Sequence, residues 1–418
     1  ITVTARIDAA ADSTHDIGTS SVRFANGYFD TVYGDGSNLT GISSGITSSA
    51  QLNTIGGTNA GAALDGDTTD NTLFGYDTGK AINSGDDNSA FGGKALQATT
   101  SGGANTAVGY YSLYTNTTSE HNTAVGVNSL RTNDGGDGNV AVGHGALYSN
   151  TTANENIAIG KNAMYANTEG HSNTAIGYNA LDANTTGDKH TAVGKLALSA
   201  VTTVDEHTAV GYYALAGNTS GLRNTALGVE AGITNTSGSD QIFIGYKAGN
   251  TNNGDQNILI GSNAALYMDT GEYNVAMGCE ALRCASGTAT HPDNNVAIGG
   301  AAMKMATEAN ECVAVGVGAA MDIQNASEVT AVGRYALQNV TSGGRNTAIG
   351  YNSLSATNSG QHNTALGYEA GGTISSGDYN VCLGYQAGVN RVTTEDNFLF
   401  VARNSDGDGN AGCWIHGD

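Results

Sequence analysis

A glycine that recurs at a fixed interval limits the folds open to this chain more than any other feature of its sequence. Between Gly75 and Gly384 there are 18 such intervals, of which 16 are 17 residues long, one is 16 and one is 21. The longest interval contains the only proline, Pro292, and is interpreted as a loop insertion. A strict short period indicates a tandem array of small units that stack on one another. The repeat glycines are Gly75, Gly92, Gly109, Gly126, Gly143, Gly160, Gly177, Gly194, Gly211, Gly228, Gly245, Gly261, Gly278, Gly299, Gly316, Gly333, Gly350, Gly367 and Gly384.

Each position of the repeat keeps one type of side chain. The residue before the glycine is apolar in every copy, as Val108 is before Gly109. The residue two before it is Ala in 15 copies, and the one four before it is Asn in 14, as in Asn105 and Asn122. Leu or Met commonly follows four residues after the glycine, and Asn, Thr, Ser and Gly fill the rest. The unit therefore has two short apolar stretches separated by two polar corners.

These units predict an all-β fold, a parallel β-solenoid or β-roll. Seventeen residues are too few for a helical hairpin but suit two strands of four to six residues joined by turns, with Leu113 in the second strand. About 19 to 20 coils, stacked ~4.8 Å apart, would form a rod of roughly 90 Å. The predicted domains are an N-terminal β module at 1–45, a connector at 46–70, a repeat shaft at 71–397 and a C-terminal cap at 398–418.

The recurring asparagines and glycines have expected roles at the corners. An Asn at one corner can hydrogen-bond its own turn and the equivalent Asn one coil away, which pairs backbone groups that a bend would leave alone. The repeat glycine offers either a positive φ or a close approach of two backbones, and the sequence leaves both open. A second, partial Asn row comprises Asn116, Asn133, Asn150, Asn167, Asn184, Asn218 and Asn235.

The two sides of the strand "TAVG" are expected to be buried differently. Because side chains alternate along a strand, Ala107 and Val108 point to opposite faces. We expect one face to fill the interior of the coil and the face lined by alanines to lie outside, where identical neighbours can pack closely. The sequence therefore predicts a parallel homo-oligomer, either intertwined or side by side.

Charge and cysteine content exclude several classes of function. The net charge is −22, from 16 Lys and Arg against 38 Asp and Glu, which disfavours nucleic acid and anionic membranes as partners. No apolar run reaches the roughly 20 residues of a membrane-spanning helix, so no membrane insertion is expected. Five scattered cysteines fit free thiols better than disulfides or a zinc site.

Two resemblances extend this interpretation. The unit "NTAVGYYAL" resembles the repeats of trimeric adhesin heads, which are left-handed β-rolls; the number three for the oligomer comes from this resemblance. The segment at 16–42, with Asp16, Gly18 and Arg23 in "DIGTSSVRF" and the turn "GDGSNLTG", resembles bacteriophage tail fibres. The resemblance implies a homotrimeric shaft on the virion that contacts other tail proteins and a host surface receptor, such as a glycan. The alternative is a trimeric adhesin on a bacterial cell surface.

Candidate binding residues fall into two groups. Asp406 and Asp408, with Asn404, have the spacing of a calcium loop, but Ile415 stands where a bidentate Glu belongs, so a plain turn is favoured and no other cofactor is expected. Tyrosines that follow the repeat glycine can form surface rows, either stacking on glycans or packing at a corner. These candidate contact residues are Tyr110, Tyr178, Tyr212, Tyr351, Tyr368 and, near the C-terminus, Trp414.

Enzymatic activity is not expected, because paired acids and bases need a cleft and a straight rod has none. Corner histidines such as His190 and His207 are interpreted as solvated turn residues. A polysaccharide depolymerase would require an acid pair in a groove. An ice-binding solenoid is the remaining alternative, suggested by a Thr row that includes Thr106 and Thr123 and interrupted at Val140 and Ile157.

Overall fold

The computed structural model describes residues 46–48, 52–286, 290–389, 394–402 and 413–417. The chain divides into two units, Ile1–Ser43 and Ser44–Asp418, and every described residue belongs to the second. The module predicted at 1–45, including the segment that resembles tail fibres, lies outside the described residues.

The described residues form 23 short strands and no helix. Strands β2 to β21 each contain three residues. Their bounds are β1 Ile46–Ser48, β2 Thr54–Gly56, β3 Thr72–Phe74, β4 Ser89–Phe91, β5 Thr106–Val108, β6 Thr123–Val125, β7 Val140–Val142, β8 Ile157–Ile159, β9 Thr174–Ile176, β10 Thr191–Val193, β11 Thr208–Val210, β12 Thr225–Leu227, β13 Ile242–Ile244, β14 Ile258–Ile260, β15 Val275–Met277, β16 Val296–Ile298, β17 Val313–Val315, β18 Thr330–Val332, β19 Thr347–Ile349, β20 Thr364–Leu366, β21 Val381–Leu383, β22 Leu399–Ala402 and β23 Cys413–Gly417.

The strands stack in chain order into one parallel sheet. From β2 to β22 each strand pairs with the next in parallel, so that Ala107 lies beside Ala124 and Val108 beside Val125. The two ends differ, since β1 is antiparallel to β2 and β23 is antiparallel to β22. The predicted parallel β-solenoid with a 17-residue repeat is confirmed, with about 20 turns.

Each coil contains one strand, so the prediction of two strands is wrong. Leu113, assigned to the second strand, lies in a turn with φ 47°, and Tyr111 before it has φ 59°. Because every second residue here has a left-handed backbone conformation, the chain turns tightly and cannot form an extended strand. Coil-to-coil bonding continues nevertheless: the amide nitrogen of Leu113 donates to the carbonyl of Ser129 at 3.1 Å.

The alanine face is internal, which overturns the prediction that it lies outside. Ala107 is fully buried, whereas Val108 is 36% exposed and Thr106 is half-buried. The interior of so thin a coil has room for only a methyl group opposite the side chain of Leu113, which is also fully buried. The larger β-branched side chains therefore point outward, and the outer row is Val, Ile, Leu, Met and Phe rather than Ala.

The core keeps a nearly constant volume where the repeat varies. Phe243 replaces the usual Ala, and Gly232 and Gly249 stand where Leu is common. A Cβ at Gly232 would lie 2.6 Å from the Phe243 ring, and one at Gly249 only 2.2 Å from it. The ring of Phe243 thus fills space that leucines occupy in other coils, which keeps the interior close-packed.

Two buried rows of asparagine amides run beside this core, as the sequence predicted. The Oδ1 of Asn105 accepts from the backbone N–H of Asn122 at 3.0 Å, and its Nδ2 donates to the carbonyl of Ser119 at 2.9 Å. In the second row the amides bond each other: Nδ2 of Asn150 donates to Oδ1 of Asn133 at 2.7 Å. These bonds pair polar groups that the tight coil would otherwise leave buried and alone.

The repeat glycine is required for both reasons that the sequence left open. Gly109 has φ 139°, which disfavours any side chain. A Cβ there would also lie 2.4 Å from the carbonyl oxygen of Gly126 in the next coil. The same pair of constraints recurs at Gly126, Gly143, Gly160, Gly177, Gly350 and Gly367.

Candidate interaction surfaces

The solenoid presents a strand face that carries no charge. We define this face as the first and third residues of strands β3 to β21. The first position is Thr, Ser, Val or Ile, and the third is Val, Ile, Leu, Met or Phe. Many of these apolar side chains are exposed, Leu227 by 49% and Leu366 by 50%. A row of exposed apolar side chains of this length is unusual for a surface that faces only water.

A second surface follows the repeat glycine and collects most of the described tyrosines. We call it the tyrosine side and define it by the first, second and fifth residues after each repeat glycine. All five candidate tyrosines lie on it and are exposed: Tyr110, Tyr178, Tyr212, Tyr351 and Tyr368, by 37% to 50%. Tyr351, Tyr368 and Tyr385 stack on successive coils, with ring centroids 5.1 and 5.2 Å apart.

Cations on the tyrosine side were missed in the sequence, although they share the positions of the tyrosines. Lys161 and Lys195 lie 6.0 and 5.8 Å from the ring centroid of Tyr178. The guanidinium of Arg131 lies 4.8 Å from the ring centroid of Tyr111 and donates to the hydroxyl of Tyr148 at 2.8 Å. The signal that could have identified them is the alternation of Lys, Tyr, Lys, Tyr at the residue after Gly160, Gly177, Gly194 and Gly211.

Tyrosine hydroxyls near Lys94 are coupled to its ammonium group. Lys94 Nζ donates to the Tyr111 hydroxyl at 3.2 Å, and this bond raises the pKa of Lys94. Hydrogen bonding to Tyr110, followed by that to Lys94, lowers the pKa of Tyr111, whereas the bond to Tyr111 raises the pKa of Tyr110. The tyrosine side is thus a connected polar surface whose cation stays charged.

The third surface, the carboxylate side, spans roughly the eighth to the twelfth residue after each repeat glycine. Its acids serve mainly as hydrogen-bond acceptors between coils: Asp137 Oδ1 accepts from the backbone N–H of Glu120 at 2.8 Å. Asp205 does the same for Asp188 at 2.9 Å. Ion pairs also bridge coils here, such as Lys189 with Glu206 at 3.2 Å. These acids therefore have a structural explanation in the stack.

His190 and His207 are buried, so their interpretation as solvated corner residues is wrong. They replace Asn in the first amide row, and the Nδ1 of His190 accepts from the backbone N–H of His207 at 3.2 Å. The two rings stack with centroids 5.3 Å apart. Burial lowers the pKa of His190, and burial followed by the charge of His190 lowers the pKa of His207 to about 4. Both imidazoles are therefore neutral at pH 7.

The predicted C-terminal sites fall largely outside the described residues. Asp406 and Asp408 are not described, and Trp414 lies in β23, whose side chains are not described. In the described ranges, no group of three or more His, Cys, Asp and Glu side chains could hold a metal ion. Cys284, Cys312 and Cys382 are buried free thiols, and burial raises the pKa of Cys284 to about 12.

Comparison with known proteins does not identify a family. No family model matches the chain, and no curated protein matches it. Across the described part of the chain, no helix has the length and apolar character needed to cross a membrane.

Proposed function

We propose that this chain is the shaft of a bacteriophage tail fibre, a stiff homotrimeric rod on the virion that holds a host-recognition surface away from the particle. The supporting observation is the in-register parallel stack from β2 to β22. Each coil bonds both neighbours through its strand, its turns and its amide rows, so bending would stretch many hydrogen bonds at once. A rod built this way transmits force and sets a fixed distance.

The strand face supports self-association of the rod. It has no charge to desolvate, and its outer row is apolar in every coil from Phe74 to Leu383. Its strands stay in register across the intervals of 16 and 21 residues, where Ile242 pairs with Ile258 and Val275 with Val296. A parallel copy of this chain presents the same uncharged rows with the same spacing between coils, so the two faces can meet along their entire length. We assign this face to the contact between protomers.

The solution mass and the particle length test this proposal. Light scattering of the purified chain should give three times the mass of the 42.2 kDa chain, and electron microscopy should show a straight rod. The variant Ile159→Glu places a carboxylate on the strand face and should dissociate or weaken the trimer. Thr118→Glu, on the carboxylate side, is the matched control and should leave the mass unchanged. A compact monomer would contradict the shaft function.

Ice binding is a second candidate, because the structure places the Thr row outward. Thr106, Thr123 and Thr174 lie on the strand face beside the apolar row, on a parallel sheet with a regular ~4.8 Å spacing between strands. Aliphatic residues interrupt the row at Val140 and Ile157. A thermal-hysteresis assay decides between the two: a gap between melting and freezing points supports ice binding, and its absence removes this candidate.

A further inference from the structure

The tyrosine side contains the described cations that have no acidic partner. Ion pairs within 4.0 Å of a carboxylate engage Lys80, Lys189, Arg223, Lys247, Arg283, Lys304 and Arg345. In the described ranges, the remaining cations are Lys94, Arg131, Lys161, Lys195 and Arg334, and each contacts a tyrosine ring instead. In a chain of net charge −22, these five cations keep their positive charge without an acidic partner and lie against tyrosine rings on one side.

Four of these cations belong to regularly spaced coils. Lys94, Arg131, Lys161 and Lys195 lie in the coils of Gly92, Gly126, Gly160 and Gly194, which are every second coil, at the second, fifth, first and first positions after the glycine. The coils that carry them are therefore about 9.6 Å apart, twice the distance between neighbouring coils. The three coils between them carry Tyr110, Tyr148 and Tyr178 on the same side, and the coil after Lys195 carries Tyr212. Positive charge and aromatic surface thus alternate over seven successive coils.

Contacts hold this alternating surface in place. Lys94 lies 5.1 Å from the ring centroid of Tyr111, and Lys195 lies 5.6 Å from that of Tyr212. Lys161 and Lys195 are exposed, and Tyr178 keeps 45% of its surface exposed. One carboxylate, Asp182, shares this stretch; it is half-buried, and burial raises its pKa. The surface is pre-organised and open to a ligand.

We propose that the tyrosine side from Lys94 to Tyr213 binds an extended acidic polysaccharide, one that carries about one carboxylate for each disaccharide. Carboxylates pair with the cations at every second coil, and the sugar rings between them lie on the tyrosines. Tyrosine offers an apolar ring and a hydroxyl that donates to and accepts from sugar hydroxyls. This inference rests on the proposed attachment function and names the chemical class of the receptor.

Nucleic acid fits this surface less well than an acidic polysaccharide does. Its phosphates follow one another about every 3.4 Å along a strand, so most of them would face no cation here. The acidic remainder of the chain would repel a polymer of that charge density. In a glycan with widely spaced carboxylates, each carboxylate can pair with one cation, and the uncharged sugars between them can stack on the tyrosines.

Binding of immobilised hyaluronan by the full chain tests the proposal. This probe has one carboxylate per disaccharide, and uncharged dextran is the reference polymer. The variant K94Q/R131Q/K161Q/K195Q should bind hyaluronan at least about tenfold more weakly, since it removes four charge contacts. The control K189Q/R223Q/K304Q/R345Q changes the net charge equally but removes only paired cations, so its affinity should stay within about twofold of the original.

Three results would overturn the inference: no binding of hyaluronan, equal binding of dextran, or equal loss in both quadruple variants. Stronger binding of single-stranded DNA with the same dependence on the four cations would also overturn it, in favour of nucleic acid. The unfolding midpoint and solution mass of each variant are measured on the same samples. A trimeric rod that ignores hyaluronan refutes this inference alone, whereas a monomer refutes the shaft function.

Discussion

The backbone N–H of Asn122 donates to the side-chain Oδ1 of Asn105 across 3.0 Å, although the two residues are 17 positions apart. Asn122 then repeats the arrangement, because its own Oδ1 accepts from the N–H of Asn139 at 2.9 Å. Its Nδ2 closes the coil by donating to the carbonyl of Gly136 at 2.9 Å. One buried side chain therefore joins two coils and holds its own coil shut.

Replacing such an asparagine should destabilise the stack strongly. Asn122→Ala leaves the buried N–H of Asn139 without its partner, at a cost of about 1–3 kcal/mol. It also removes one of the two side-chain donors to the carbonyl of Gly136, which keeps the bond from Asn133 Nδ2 at 2.8 Å. Denaturant unfolding should show the loss as a lower midpoint. Asn83→Ala is the control, since Asn83 is exposed, and it should change the free energy of unfolding by less than about 0.5 kcal/mol. Equal losses would contradict a role for the amide row.

Replacement by alanine should destabilise the protein at one of two neighbouring glycines and have little effect at the other. Gly299 has φ 134°, and a Cβ there would lie 2.5 Å from the carbonyl oxygen of Gly316. Gly300 has no atom closer than 3.9 Å to its Cβ position. Gly299→Ala should cost at least about 1–3 kcal/mol from backbone strain alone, before the clash is added. Gly300→Ala should be close to neutral, and thermal unfolding of the two variants gives the comparison.

Because the Phe243 ring fills the space of leucines in other coils, a leucine at position 232 should partly compensate for the loss of that ring. Phe243→Ala opens a cavity and should cost about 3–5 kcal/mol. Gly232→Leu alone should also destabilise, because its Cβ would lie 2.6 Å from the ring. The double variant should be more stable than the sum of the two losses predicts, by more than about 1 kcal/mol. The leucine can adopt the left-handed backbone there, as Leu215 does at φ 49°.

Additive effects in that cycle would mean that the two sites are independent. Equilibrium unfolding of the four proteins in urea measures the coupling directly. The interpretation of Phe243 as a substitute for leucines would then be wrong.

Acid should weaken the coils that contain His190 and His207. The folded-state pKa of His207 is lowered to about 4 from 6.5, so the unfolded chain takes up the proton first as pH falls. Stability from this group is complete above pH 6.5 and is lost between pH 6.5 and 4, by about 2 kcal/mol at pH 5 and about 3 kcal/mol in full. Hydrogen exchange of these coils at pH 7 and pH 5 measures the change.

A double variant isolates the imidazoles from carboxylates that titrate in acid. His190→Asn with His207→Asn supplies amide Oδ1 acceptors, as in the other coils, and no proton is taken up near neutral pH. The loss of stability between pH 7 and 5 should be smaller in this variant by the contribution of the two histidines. The same slope in both proteins would contradict this origin.

The spacing of the glycines predicted the number of coils, their parallel register and both amide rows, since stacking brings residues 17 apart side by side. The orientation of the strand could not be predicted, because Ala107 and Val108 are both apolar and either could face inward. The structure resolves it by size, since only Ala107 fits opposite Leu113.

The turn conformations, the burial of the histidines and the cations among the tyrosines were not predicted, for a different reason. Leu and Tyr rarely adopt a positive φ, so nothing local suggested that Tyr111 and Leu113 would do so. His190 was predicted to be exposed because histidine is a polar residue. Its burial is determined by its neighbours in space, which are 17 residues away in the sequence. The alternation of Lys161, Tyr178 and Lys195 is visible in the sequence, but whether these lysines have an acidic partner depends on which acids lie in adjacent coils.

The bond from the N–H of Asn122 to Asn105 has a consequence for inheritance. Because most interior coils present equivalent groups to the coil before and the coil after, a block of 17 residues can be lost or duplicated without creating a new kind of junction. Recombination between the corresponding stretches of the gene would then change the reach of the protein in steps of about 4.8 Å. The number of coils would then set the length of the protein, while its fold stayed the same.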